Sequence, residues 1–288
     1  MRAKIFLNIF ILLLILSAFS YASDILVAPK VIKQGSTFTV EFTPDKPAAK
    51  VSAIFAGQTV PFYKMGNDRR YLGIFGVSAT CPSGYRQIQI IATAESGDAE
   101  KYTETIVVGR AKFPFEKLLF IPKTKKAKIS QAKISNDQEE ISKIFTMESE
   151  AKLWEGKFLL PVKGRVTSAY GTYRLYNGKR IGDHRGLDIG STPIGTRIKA
   201  ANNGAVAFVK FMPTLGAVII LDHGLGIHTI YMHMSKTLVK VGDKVKKGQI
   251  IGLVGNTGIS TGPHLHWGLS VHDTRVNPLD WTRRMIIN

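Results

Sequence analysis

The 288 residues contain one cysteine, Cys81, so no disulfide can form within the chain. Histidine is missing from residues 24–110 and glutamate from residues 158–288. The first absence leaves the N-terminal part without a histidine for acid–base or metal chemistry. The second removes glutamate as a general base from the C-terminal part. Acid is scarce overall: 21 Asp and Glu stand against 39 Lys and Arg, a net charge of +18. The surplus is uneven. Ten basic residues face eight acidic ones in 24–110, ten face seven in 111–157, and seventeen face six in 158–288. Cys81 has no partner motif and reads as a small, buried residue.

At the N-terminus, Arg2 and Lys4 precede an apolar run over 5–19, broken only by Asn8 and Ser17. Ser20-Tyr21-Ala22 then offers small residues where a signal peptidase cuts, so 1–22 reads as a signal peptide cleaved after Ala22. The alternative is a retained membrane anchor, because the run approaches the length that spans a bilayer. Either reading predicts an exported protein of the periplasm or cell envelope. Stability without disulfides must then come from the cores or from a metal. Outside the cytoplasm a basic surplus points to an anionic polymer, such as cell-wall material, or to a membrane surface, and not to nucleic acid. General solubility is the plainer explanation of the same charge.

Residues 23–110 show short alternating runs, at 36–42, 51–55 and 86–92, separated by Pro44-Asp45, Gly66-Asn67-Asp68 and Pro82-Ser83-Gly84. This pattern predicts a small β-sandwich-like domain with a positioning or regulatory role. Residues 111–157 read as a linker, lysine-rich over 123–133. A helix is expected there from a Ser135-Asn136-Asp137 cap to about Lys152, with Ile141, Ile144 and Phe145 as its apolar stripe. Residues 158–288 read as antiparallel β-structure with little helix. The whole chain is therefore expected to be mainly β.

The chemistry lies in two clusters and one isolated histidine. Asp183-His184-Arg185-Gly186-Leu187-Asp188 carries H-x-x-x-D, and the glycines around it suggest a loop entering a strand. Gly262-Pro263-His264-Leu265-His266-Trp267 carries H-x-H, which on a strand puts both imidazoles on one face. His184, Asp188 and His266 then offer two nitrogens and one carboxylate oxygen, a three-ligand set that leaves a fourth position open for catalysis. Water activated at such a site needs a base and a charge stabiliser. With glutamate absent, His233 and His264 are the candidates, and the sequence leaves their division of labour open. His228 lies five residues from His233 and would face the other way on a regular strand. His223 and His272 read as structural.

The segments 183–188, 231–235, 241–258 and 261–267 together resemble the lysostaphin- or LytM-type zinc metallopeptidases, over about 158–281. The resemblance implies a compact antiparallel β-fold with a groove over one zinc ion, bound by His184, Asp188 and His266. His233 and His264 act on water and the scissile amide. It also implies hydrolysis of peptidoglycan cross-links, with D-alanyl bonds as the expected target, by an endopeptidase or carboxypeptidase of the DD type. Tyr173 and Arg174 match the family's groove wall, and Arg174 could meet a substrate carboxylate. N-terminal segments often cover the cleft in this family, so residues 24–157 could inhibit the enzyme intramolecularly. The competing reading is a catalytically silent wall-binding protein or amidase activator with the same fold, against which all five metal and catalytic positions are intact. The stretch 241–249 also resembles the hairpin of biotinyl or lipoyl carriers, but the tight lysine turn of a carrier is missing.

Overall fold

The computed structural model describes residues 23–118, 131–147, 149–176 and 179–287. The expected signal peptide and most of the lysine-rich stretch lie outside the described residues. The protein is mainly β, with two β-units packed together.

In the first unit, eight strands form one path in the order Asp24–Ala28, Thr37–Thr43, Tyr71–Gly76, Gln58–Lys64, Lys50–Phe55, Gly84–Thr93, Ala99–Gly109, Ile32–Lys33. Strand Gln58–Lys64 changes partner midway. Its first half pairs with Lys50–Phe55 and its second with Tyr71–Gly76, with Pro61, which has no N–H to donate, at the changeover. The path thus folds over on itself as the expected sandwich. Phe38, Phe42 and Phe75 from one half meet Phe55, Ile88 and Ile90 from the other in a single core that also takes in Cys81.

The second unit is built on strands ordered Arg165–Ser168, Leu187–Gly190, Leu265–Val271, Ile227–Met234, Gly216–Asp222, Gly204–Met212, Lys244–Val245, with Thr274–Val276 beside Leu265–Val271. One face of this sheet rests on a core centred on Trp267, Tyr231, Leu187 and Ile251. That core reaches back to Trp154, whose ring meets Trp281, which in turn meets Phe158. The expected boundary at 158 therefore cuts through the core. Replacing one of these rings by alanine should cost about 3–5 kcal/mol.

The linker also departs from expectation. Phe115–Leu118 is a strand, paired in parallel with Tyr173–Tyr176, which in turn pairs with Lys179–Asp183. The helix runs over Gln131–Phe145 and not over 135–152. Ser135-Asn136-Asp137 is no cap, because the buried Asp137 carboxylate bonds instead to Thr214 of the sheet unit. The apolar stripe behaves as read. Ile141 and Phe145 are buried, and Ile144 packs beside them, against Phe208, Met212, Ile220, Ile230 and Met232 on the other face of the sheet.

The two units are joined by packing and by polar bonds. Leu72 and Ile74 of the first unit enter the core of the second. The Trp281 indole N–H donates to the Thr37 hydroxyl (3.0 Å), the Arg284 guanidinium donates to the Thr37 carbonyl (2.7 Å), and the Asn277 amide donates to Gly35 (2.8 Å).

Candidate metal centre

Asp188 and His266 are directly opposed on the antiparallel strands Leu187–Gly190 and Leu265–Val271, so their side chains share one face of the sheet. His184 enters from the loop before Leu187. Its backbone is clamped there, the carbonyl accepting from Gly171 and the amide donating to Thr172 (both 2.8 Å). Gly186 provides the space for this entry. A Cβ at that position would lie 2.5 Å from His266 Nε2.

The three side chains end in a tight triangle. His184 Nε2 is 3.0 Å from Asp188 Oδ1 and 3.0 Å from His266 Nδ1, and His266 Nδ1 is 2.9 Å from Asp188 Oδ1. His184 Nδ1 donates to the Ala169 carbonyl (3.0 Å), which leaves Nε2 of the neutral ring as a lone pair pointing into the triangle. Electron-rich atoms so close together repel unless a cation lies among them. A tetrahedral zinc with bonds of about 2.0–2.1 Å separates its ligands by about 3.3 Å, so the residues fit the ion. Among the described residues this is the one His/Cys/Asp/Glu group with metal-ligand spacing. Burial acts to raise the Asp188 carboxyl, but the two imidazoles beside it, His184 and His266, prevail and hold it well below the usual carboxylate range. Burial, with the neighbouring His184, lowers His266 against the pull of Asp188.

His233 and His264 stand over the same centre. Their ring centroids are 4.8 Å apart, and His233 is 6.2 Å from His266. His264 Nδ1 donates to Gly262 O (2.9 Å) with Ser260 Oγ at 3.1 Å, and its Nε2 lies 3.7 Å from Asp188 Oδ1. His233 Nδ1 donates to Thr257 O (2.9 Å). Both rings therefore carry an Nε2 lone pair when neutral. Burial, reinforced by His266 and His264, presses His233 down to about 4.

A β-bulge brings His233 to this face. Tyr231 and Met234 are three positions apart, while their partners Ile219 and Ala217 are two apart. His233 takes up the extra residue at φ +61°, in the left-handed region. Met232 opposes His266, so on a regular strand His233 would have pointed into the core beneath. The bulge also corrects the expectation for His228, which lies on the same face as His233. His228 is removed from the centre by position along the strand and is buried against Phe145.

Residues 182–278 match peptidase family M23. The C-terminal unit carries an M23 peptidase domain. The chain is 42% identical over 118 residues to the peptidoglycan DD-endopeptidase ShyA of Vibrio cholerae, a match covering 41% of this chain and 27% of that protein. It is also 42% identical over 123 residues to an uncharacterized metalloprotease of Buchnera aphidicola, covering 42% of this chain and 32% of that one. The chain thus matches about a quarter to a third of the length of these relatives. A Pseudomonas aeruginosa structure assigned to peptidase M23 superposes with a TM-score of 0.66 at 24% identity, covering 90% of this chain and 96% of that one, a likeness of fold.

The remaining candidates lie around the M23 centre. Tyr173 is on the strand beside Phe115–Leu118, and its ring stacks on Phe115 at 5.9 Å. Arg174 is on the same strand; its side chain lies outside the described residues. His223 is fully buried, with Nδ1 donating to Asn203 O (2.6 Å), Nε2 beside the Thr229 hydroxyl (2.8 Å) and the ring against Phe158. His272 is buried at a turn and stacks on Tyr63. Gly186, Thr257 and Ser260 were missed as contributors to the M23 site. The Gly between His184 and Asp188 was the available signal for the first, whereas Thr257 and Ser260 act through contacts that no motif spacing discloses.

Proposed function

We propose that this chain is an exported zinc peptidase that hydrolyses peptide cross-links of peptidoglycan at D-alanyl bonds. The carrying observation is the His184–Asp188–His266 triangle with two further histidine Nε2 atoms over it, because this combination equips one cleft for both metal binding and proton transfer. The likeness to a DD-endopeptidase supports the substrate, and the basic surplus of 158–288 suits an anionic wall polymer.

His184, Asp188 and His266 would hold the zinc, which when bound supplies a Lewis acid that activates water and polarises the scissile carbonyl. Of His233 and His264, one in neutral form takes the water's proton at Nε2. The other, carrying a proton at Nε2, faces the oxyanion that develops on the carbonyl. Bonds from both Nδ1 atoms to backbone carbonyls fix the rings in place, so little reorganisation is left for the reaction itself. The proton then passes to the leaving amine.

Intramolecular restraint by residues 24–157 belongs to this proposal in a narrower form. Strand Phe115–Leu118 lies along the Tyr173–Tyr176 wall and covers Tyr173 with Phe115, where a substrate strand would run.

The test incubates the chain and its His266→Ala variant with purified peptidoglycan, with and without chelator, and follows muropeptides by mass spectrometry. Loss of cross-linked species, abolished by chelator and by the substitution, is expected. A chain that binds zinc yet leaves every muropeptide unchanged would refute the enzyme in favour of a silent wall-binding or activator protein.

A further inference from the structure

The helix Gln131–Phe145 lies outside residues 182–278, yet one of its side chains is hydrogen-bonded to the Thr214–Leu215 turn, which in turn is hydrogen-bonded to His233. Asp137 is buried, and its Oδ2 accepts from both the amide (3.0 Å) and the hydroxyl (2.5 Å) of Thr214. Thr214 opens the turn into strand Gly216–Asp222. Its carbonyl accepts from the Ile259 amide (2.8 Å), and the next carbonyl, Leu215, accepts from the His233 amide (2.9 Å). Thr257 closes the circle. Its carbonyl takes the His233 Nδ1 proton, its hydroxyl donates to Met234 O (2.7 Å), and the Ala217 amide donates to that hydroxyl (3.1 Å). His233 sits at positive φ, and a side chain held there persists only where its surroundings dictate it. The Thr214–Leu215 turn supplies one side of that hold, and Asp137 fixes the turn.

We infer that Asp137 is a positioning residue for His233, and that the helix Gln131–Phe145 is a working part of the catalytic unit. The helix has no need of Asp137 to dock, since Ile141 and Phe145 bury its apolar face and the Ser142 hydroxyl bonds to Asp273 (2.6 Å). Two charge-assisted bonds converging on one buried oxygen instead serve the geometry of the turn. The restraint suggested for residues 24–157 then cannot extend to this helix, whose removal would abolish activity.

This inference rests on the peptidase reading, and the experiment separates the two. The chain is compared with Asp137→Ala, Asp137→Asn and Thr214→Val. Asparagine keeps an acceptor oxygen for both Thr214 donors, alanine keeps none, and Thr214→Val removes only the hydroxyl donor. Two readouts are followed: steady-state muropeptide cleavage, and residue-resolved amide hydrogen exchange, which does not depend on activity. Displacing a proton-transfer group by a fraction of an ångström should lower kcat of Asp137→Ala at least about tenfold with KM little changed. Asp137→Asn should restore most of the rate, and Thr214→Val should fall between. Exchange at the Thr214 and His233 amides should rise at least about tenfold in Asp137→Ala while Thr229 and Ile230 on the same strand stay protected. An inactive wild-type chain would defeat the peptidase reading, and exchange would still decide the positioning role. Unchanged exchange at His233 in Asp137→Ala, a rise spread evenly along the strand, or equal loss of rate in Asp137→Ala and Asp137→Asn would overturn the inference.

Discussion

Gly186→Ala tests the metal centre with a single methyl group. A Cβ built on Gly186 falls 2.5 Å from His266 Nε2, 2.7 Å from its Cε1 and 2.8 Å from the Trp267 carbonyl oxygen. Ordinary van der Waals contact begins at 3.4 Å. The ring must therefore retreat by about 0.9 Å (3.4 − 2.5), while the Trp267 carbonyl, held in the Leu265–Val271 strand, has little room to yield. A working site tolerates displacement of about 0.5 Å. Nδ1, joined to Nε2 through Cε1 in the same rigid ring, is one corner of the triangle with Asp188 and His184. Pushing at Nε2 therefore tilts the donor atom away from the other two. The expected losses are roughly 10–100-fold in zinc affinity and about 100-fold in cleavage rate. Overpacking costs about 1–3 kcal/mol, so the variant should still fold. The assay is zinc content by elemental analysis, muropeptide cleavage by mass spectrometry, and circular dichroism to establish the fold. A folded Gly186→Ala chain with full zinc and a rate within about threefold of wild type would refute the geometry.

Three further outcomes are expected. Zinc at about 100 times its Kd should stabilise the stripped chain by about 2.7 kcal/mol; a thermal melt unmoved by zinc, or moved equally in His184→Ala, would speak against the site. Burial, with the neighbouring His228, lowers His223 to about 4 from 6.5. The unfolded chain therefore binds the extra proton between those values. The stability due to the neutral ring is present above pH 6.5 and falls by about 2 kcal/mol between pH 7 and 5; His223→Gln should flatten denaturant midpoints across that range. Phe115→Ala uncovers Tyr173 and, because Phe115 is more than half exposed, should cost less than about 1 kcal/mol while raising cleavage of cross-linked peptidoglycan severalfold. An unchanged rate would clear that strand of any restraining role.

Much of this was readable in the residues. Phe38, Val40 and Phe42 alternate with polar neighbours and do point into a sandwich core. Leu265 between His264 and His266 enters the other core, as period two requires, leaving both imidazoles on the outer face. What escaped were features set by partners distant in sequence. Asp137 in Ser135-Asn136-Asp137 has every local mark of a helix cap, but Thr214, 77 residues away, offers two donors in a buried place, and tertiary bonding overrode the local preference. Trp154 belongs to the C-terminal core because its ring packs on Trp281, and no change in composition marks that boundary.

The bulge at His233 explains why strand periodicity alone misjudged the histidines. Alternation predicts His233 on the core face, opposite Met232, where it could not meet His266. One extra residue reverses that order, and it goes unseen in the sequence because Tyr231, Met232, His233 and Met234 all suit a strand. Its cause lies across the sheet. Gly216, at φ +72°, lets Thr257 approach so closely that a Cβ there would lie 2.1 Å from the Thr257 hydroxyl oxygen, and Thr257 then holds both the His233 ring and the Met234 carbonyl. The left-handed backbone costs of order 1–2 kcal/mol at a non-glycine residue. Two hydrogen bonds to His233 and one to its neighbour, at about 1 kcal/mol each, are enough to offset it. Strain at this histidine is thus sustained by residues that carry no chemistry themselves, Gly216, Thr257 and, through Thr214, Asp137. A segment limited to the metal ligands and the histidine pair would keep the reactive groups and lose part of the scaffold that aims them.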